Sequence, residues 1–364
     1  MLVLEKVLDK DANVVLQYSY TLGAAGERTK VVETGADPAS ERTVEYAYDA
    51  LYRLTSETVT DANGVSVTEY TYDSNSNRLT KTVDGAVTEY SYNELNQLVS
   101  ETGTRYKYDK NGNLVKKTEG EQTTTYTYDA RNKLIRATGQ SGQQVNVEEY
   151  AYDFAGNRIA KIGEISTTYY LVDTNGALSQ VLAEYDENGT LTINYTRADE
   201  LISQERDGAK SYYLYDGSDS VRMLANEDGE ITDTYTFDAF GNLTASTGST
   251  KNDFLYRGEQ FDSFTGLYYL RARYMNPATG TFITMDEYAG SVFEPVSLHK
   301  YLYANANPVM NCDPTGYLTL TELTTGMAIQ AVIGATISAM VSLINFLALP
   351  RLIRNLIRVI SGNQ

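Results

Sequence analysis

The chain has 364 residues, with 31 Tyr, 9 Phe and no Trp, a net charge of −18, one Cys and one His. The negative charge repels nucleic acid and anionic lipid over most of the surface. A single Cys and a single His exclude a disulfide framework and the usual zinc ligand sets, so no cofactor or metal is expected.

The first residues carry no basic stretch leading into an apolar run, so no signal peptide is read in this chain. From Tyr18 a degenerate copy of a Tyr-x-Tyr motif is already present, as if the chain begins partway through a repeat. Clear copies of Tyr-x-Tyr-Asp or Tyr-x-Tyr-Asn start at Tyr46, Tyr70, Tyr90, Tyr106, Tyr126 and Tyr150, at spacings of 24, 20, 16, 20 and 24 residues. Looser copies start at Tyr170, Tyr213 and Tyr235. A near-regular period of this size marks an array of one small unit.

The unit reads as two strands and two turns. Tyr70 and Tyr72 lie two apart and share a strand face. Asp73 opens a turn by accepting backbone N–H groups, and the Gly or Asn that follows in other copies (Gly112, Gly156, Asn157, Gly241) tolerates positive φ. The return strand ends at Asp84-Gly85, a two-residue hairpin signal. The expected fold is all-β: a curved antiparallel meander of hairpins forming a wall, with a short helical C-terminal tail. The expected divisions are a repeat array over 1–236, a distinct core over 237–317 and a tail over 318–364. Asp109, Asn111 and Asn113 imitate the start of a calcium loop but lack its later glutamate, and turn chemistry explains them better.

Beyond 237 the motifs change. Tyr-Arg-Gly-Glu-Gln at 256–260, Thr-Gly-Leu-Tyr-Tyr-Leu-Arg-Ala-Arg-Tyr at 265–274, Asn-Pro-Ala-Thr-Gly at 276–280, Asn307-Pro308 and Asp313-Pro314-Thr315-Gly316 follow in order. With the Tyr-Asp copies, this series resembles the Rhs (rearrangement hotspot) repeat family, which includes insecticidal toxin-complex shells, bacterial wall-associated proteins and animal teneurins. The resemblance covers roughly residues 18–317. It implies a β-spiral walling a hollow, with the core closing one end and a toxin cargo inside. It also implies a secreted or cell-surface bacterial setting and an immunity protein as a further partner. Glycan binding through exposed tyrosines is the alternative.

The resemblance further implies an aspartic-type autoprotease that acts on its own chain. Its two aspartates match Asp286 and Asp313, with Arg273 as a positioning group, and the cut falls between Tyr317 and Leu318. Close carboxylates cannot both ionise, so one keeps a proton while the other activates water. This chain departs from the family pattern in three respects: Asp286 is followed by Glu287 rather than Pro, the 27-residue step from Asp286 to Asp313 is longer than in the shells with the tightest motif, and Tyr317 stands where leucine is usual. Asp286 and Asp313 as mere turn caps is the competing reading. His299 lacks triad partners and Cys312 reads as a small buried hydrophobe.

The tail is uncharged over 323–350, then carries Arg351, Arg354 and Arg358 on one helical side. Three readings stay open: a transmembrane helix or other membrane contact through 323–360, the leader of a toxin domain, or a helical hairpin packed on the shell.

Overall fold

The computed structural model describes residues 2–8, 14–35, 41–198, 200–317 and 319. Leu318, the helical tail and the 323–360 membrane-contact segment lie outside the described residues. Among the described residues no helix is long and apolar enough to cross a membrane.

Among the described residues, twenty-three strands, β1 (Leu2–Leu8) to β23 (Leu243–Thr247), form one antiparallel sheet in which each strand pairs with its neighbours in the chain. Among the described residues, β1 pairs only with β2 (Val14–Leu22) and β23 only with β22 (Ile231–Phe237), so backbone pairing does not close the sheet.

The repeat has the expected unit. In β6 (Gly64–Tyr72), Tyr70 is buried and Tyr72 half-buried on the same face. Tyr70, Tyr90, Tyr106, Tyr126 and Tyr150 are 2 to 6% exposed. The second tyrosine of the motif has a separate task. Its hydroxyl donates to a backbone carbonyl in the preceding repeat: Tyr72 to Leu54 at 2.7 Å, Tyr128 to Leu114 at 2.8 Å, Tyr152 to Leu134 at 2.7 Å and Tyr215 to Leu201 at 2.6 Å. Those leucines are themselves buried. Each motif thus ties the end of its own strand to the start of the strand before it, just beyond the last backbone-paired residues of that hairpin. The register also slips at this residue, between Thr71 and Tyr72, Thr127 and Tyr128, and Ala151 and Tyr152. A bulge bends its strand and adds twist, so a bulge in every repeat curls the wall.

The turns are built by the acid. Asp73 Oδ1 accepts the N–H groups of Asn75 and Asn77, both at 2.8 Å, and Oδ2 accepts Asn77 Nδ2 at 2.8 Å. Asp109 repeats this with Asn111 and Asn113, which occupies the oxygens of the calcium-like triplet. The residue three after the acid has positive φ whether it is Gly112 at 82°, Asn132 at 56° or Ser76 at 69°. Asn157 is a correction: it sits one place later, and its side chain donates to Asp153 at 2.9 Å instead. Asp84 and Gly85 both have positive φ and join β7 (Arg78–Val83) to β8 (Ala86–Tyr92), as the hairpin signal requires.

Residues 254–309 pack against part of the tyrosine face. Their frame is a second small sheet of β24 (Gln260–Asp262), β25 (Leu267–Leu270), β26 (Arg273–Asn276) and β27 (Thr281–Phe282). Tyr268, Met275, Phe282 and Tyr303 join one cluster with Tyr170, Tyr195 and Tyr213 of the wall. Leu267, Tyr269, Tyr274 and Ile283 join another with Tyr90, Tyr106, Tyr126 and Tyr150. The physical reason is area: a one-sheet wall with a tyrosine face exposes more apolar surface than water tolerates, and the insert covers it.

Two buried ion clusters fix the insert and the wall's ends. Arg158 donates to Asp262 at 2.5 Å, Gln260 at 3.1 Å and Tyr274 at 3.2 Å, with both partners of the ion pair 1% exposed. Arg222 of β21 (Val221–Ala225) grips Glu33 of β3 (Arg28–Gly35) through two bonds, at 3.2 and 2.8 Å. Glu57 accepts the Ala239 N–H at 3.1 Å. Early strands therefore meet late ones through side chains, not through the backbone ladder.

Candidate functional site

Arg273, Asp286 and Asp313 come together. Arg273 lies on β26, Asp286 comes after β27, and Asp313 opens a turn over 313–317. Arg273 Nη2 contacts Asp286 Oδ2 at 2.7 Å and Asp313 Oδ2 at 3.2 Å. The Lys300 carbonyl joins the same framework: it accepts Arg273 Nη1 at 3.1 Å and the Asp286 N–H at 2.9 Å. The Phe282 ring lies 3.6 Å from the guanidinium carbon. Neither position is held by local turn chemistry alone.

The electrostatics suit one shared proton. Burial pushes the Asp313 carboxyl up to about 6, against the pull of Arg273 and a bond from the Thr315 hydroxyl. Burial also raises Asp286, again opposed by Arg273. One guanidinium faces two carboxyls, so a proton on one of them brings the cluster to neutrality.

The chain leading to Tyr317 is held directly on this cluster. Asp313 Oδ1 accepts the Tyr317 N–H at 3.1 Å, and Arg273 Nε donates to the Gly316 carbonyl. The Ala272 N–H donates to Thr315 at 3.2 Å, and Arg271 Nη1 donates to Pro314 at 2.6 Å while pairing with Glu259. Gly316 has φ 73°, and a Cβ there would lie 2.4 Å from the Leu270 carbonyl oxygen. Only glycine fits. Tyr317 reaches the edge of a recess of about 350 Å³ that Arg273, Lys133, Phe154 and Glu287 also line. Leu318 lies outside the described residues.

The sequence named the two aspartates, Arg273 and Tyr317. It missed Arg271, Lys300 and the role of Gly316. Arg271 sits in the turn between β25 and β26 with φ 60°, so strand alternation with Arg273 gave no signal for it. Lys300 acts through its carbonyl, for which no side-chain pattern exists. His299 comes after a 3₁₀ turn (Pro295–Leu298) rather than lying on a strand. Its Nδ1 accepts the Tyr301 and Leu302 N–H groups, so Nε2 carries the hydrogen and donates to Asn77 at 2.9 Å. Burial lowers it to about 4, which leaves a neutral ring with both nitrogens in use. Cys312 is buried, and burial pushes its thiol up to about 11, so it is a poor thiolate.

A tyrosine-stapled meander, filled by a compact core that ends on paired aspartates, defines the class of Tyr-Asp repeat shell proteins. Comparison with known proteins agrees: the model of the teneurin YD-shell family matches residues 11–309. The chain belongs to that family. It is 35% identical over 290 residues to the tRNA nuclease WapA of Bacillus subtilis, covering 77% of this chain and 12% of that protein. The tRNA3(Ser)-specific nuclease WapA of Bacillus spizizenii is 36% identical over the same shares. The chain therefore spans about an eighth of these relatives' length. Among solved structures, a TcdB2-TccC3-Cdc42 crystal structure aligns with 87% of this chain and 20% of its own, at a TM-score of 0.43 and 16% identity.

Proposed function

We propose that the chain is a shell segment of an Rhs-type polymorphic toxin, secreted or displayed at a bacterial surface, and that its core cuts its own chain after Tyr317. The observation that carries the cleavage is the single arginine that binds both aspartates while the Asp313–Arg273 pair grips the 316–317 peptide. Asp313, with its raised carboxyl, holds the proton. Asp286 takes a proton from water, and the water oxygen attacks the Tyr317 carbonyl carbon. Asp313 protonates the Leu318 nitrogen as the C–N bond breaks. The products are a Tyr317 carboxylate and a Leu318 amine, and the released C-terminal segment is the cargo that an immunity protein neutralises.

The repeat's first tyrosines are buried, which leaves the glycan-binding alternative without those rings. Intact-mass measurement tests the cleavage. The wild-type chain gives two fragments divided at 317/318, and Asp313→Asn and Asp286→Asn each give one uncut mass. An uncut wild-type chain removes the protease reading and leaves the shell standing.

A further inference from the structure

A cavity of about 60 Å³ lies at the meeting of early and late strands, away from the aspartates. One water needs roughly 10–15 Å³ on this measure, so the space takes several waters or one small ion. Its lining includes Tyr18, Arg28, Arg42, Arg222 and Arg257. Three buried atoms of these residues have no hydrogen-bond partner among the described residues: Tyr18 Oη, Arg42 Nε and Arg257 Nε. Tyr18 is 0% exposed.

The acidic residues of the lining do not meet this surplus of donors. Glu33 is taken by both Arg222 amino groups, and Arg42 Nε reaches it only at 3.9 Å, beyond hydrogen-bond distance. Asp216 accepts the Ser218 and Ser220 N–H groups and Arg222. Asp238 accepts Lys81 and the N–H groups of Phe240 and Asn242. Four arginines face three carboxylates, and Arg28 and Arg257 donate to Ser218, Gly217, Pro308 and Asn311 oxygens. A buried donor without an acceptor is costly, and a guanidinium fork matches an oxyanion.

We infer that this cavity binds one small inorganic oxyanion of the phosphate or sulfate type, which joins the early strands (Tyr18, Arg42) to the late ones (Arg222, Arg257). The occupant assigned is the free ion rather than a headgroup, because about 60 Å³ holds little beyond the oxyanion itself.

Calorimetric titration of the full chain with inorganic phosphate, sulfate and glycerol phosphate, at ionic strength held with chloride, tests this. Phosphate or sulfate should bind at one site and raise the unfolding temperature beyond the chloride control. Tyr18→Phe, which removes only the hydroxyl, should weaken binding about tenfold, and Arg42→Met should weaken it at least as much. Absence of binding up to about 10 mM, or unchanged affinity in both variants, overturns the site. Glycerol phosphate binding as tightly as phosphate overturns the free-ion assignment.

Discussion

The wall and the insert solve the same problem by opposite means. The wall repeats one local solution: adjacent strands pair, a tyrosine hydroxyl reaches back one repeat, and an acid closes each turn. The insert is used once and holds by contacts distant in sequence, such as Arg158 with Asp262 and Arg273 with Asp313. Redundancy protects the wall against single losses. The insert has none, yet it covers the face on which most of the wall's apolar surface depends.

This contrast is sharpest at Arg158. Arg158→Ala leaves Asp262 buried with only Lys161, at 3.6 Å, as an ion partner, and should cost roughly 3–5 kcal/mol. Urea unfolding should show the whole chain destabilised and the 254–309 segment newly open to protease. A loss confined to one hairpin would break the comparison. Leu54→Ala in the wall empties a fully buried site. It should cost about 2–5 kcal/mol, with hydrogen exchange rising only near its own strands.

The paired aspartates should also show a pH signature of their own. The folded-state carboxyl of Asp313 lies near 6, above its ordinary value of 3.8. The folded state therefore binds the proton more tightly, and this contribution is full below about pH 4 and lost as pH rises through 6. The stability difference between wild type and Asp313→Asn should shrink by about 2–3 kcal/mol across that window, read by denaturant titration at each pH. Self-cleavage should likewise be faster at pH 5 than at pH 8, because Asp313 must hold its proton. A rate that rises with pH would reverse the assigned roles of the two aspartates. Gly316→Ala should abolish cleavage while moving global stability far less than Arg158→Ala, as intact mass and urea unfolding would show.

The smallest effects belong to the staples. Tyr72→Phe and Tyr128→Phe each remove one hydroxyl-to-carbonyl bond and should cost about 1 kcal/mol apiece, whereas Tyr152→Phe also loses the Tyr274 hydroxyl contact and should cost more. The three should add, since the sites share no partner. Strong non-additivity by denaturant unfolding would mean that the wall is less modular than its repeats.

Legibility divides along the same line. Tyr-x-Tyr-Asp, the Asp-led turn and Asp84-Gly85 were readable because strand alternation and turn chemistry act over a few residues. The hydroxyl staple was not, because a two-residue spacing shows a shared face but not a hydrogen-bond acceptor 18 residues back. Asn157 was misplaced by one position for a related reason: both Gly and Asn suit a left-handed residue, and the copy Gly156-Asn157 offers both. At the site, Asp286 and Asp313 were legible as motif residues, while their bridging by Arg273 depends on a fold that brings positions 40 residues apart onto one guanidinium. Nothing in the local pattern around Glu33 or Arg222 announces a pair separated by 189 residues.

The strictly sequential strand pairing has a consequence for synthesis. A ribosome releases each hairpin next to the partner it needs, so the wall can form as it emerges, with little chain entropy to overcome at any step. The residues that cover its tyrosines are translated last. Until position 309 clears the exit tunnel, a long aromatic surface stands bare, and a nascent chain in that condition invites aggregation or a chaperone. Slowing translation just before codon 254 should therefore lower soluble yield, whereas the same pause after codon 319 should not.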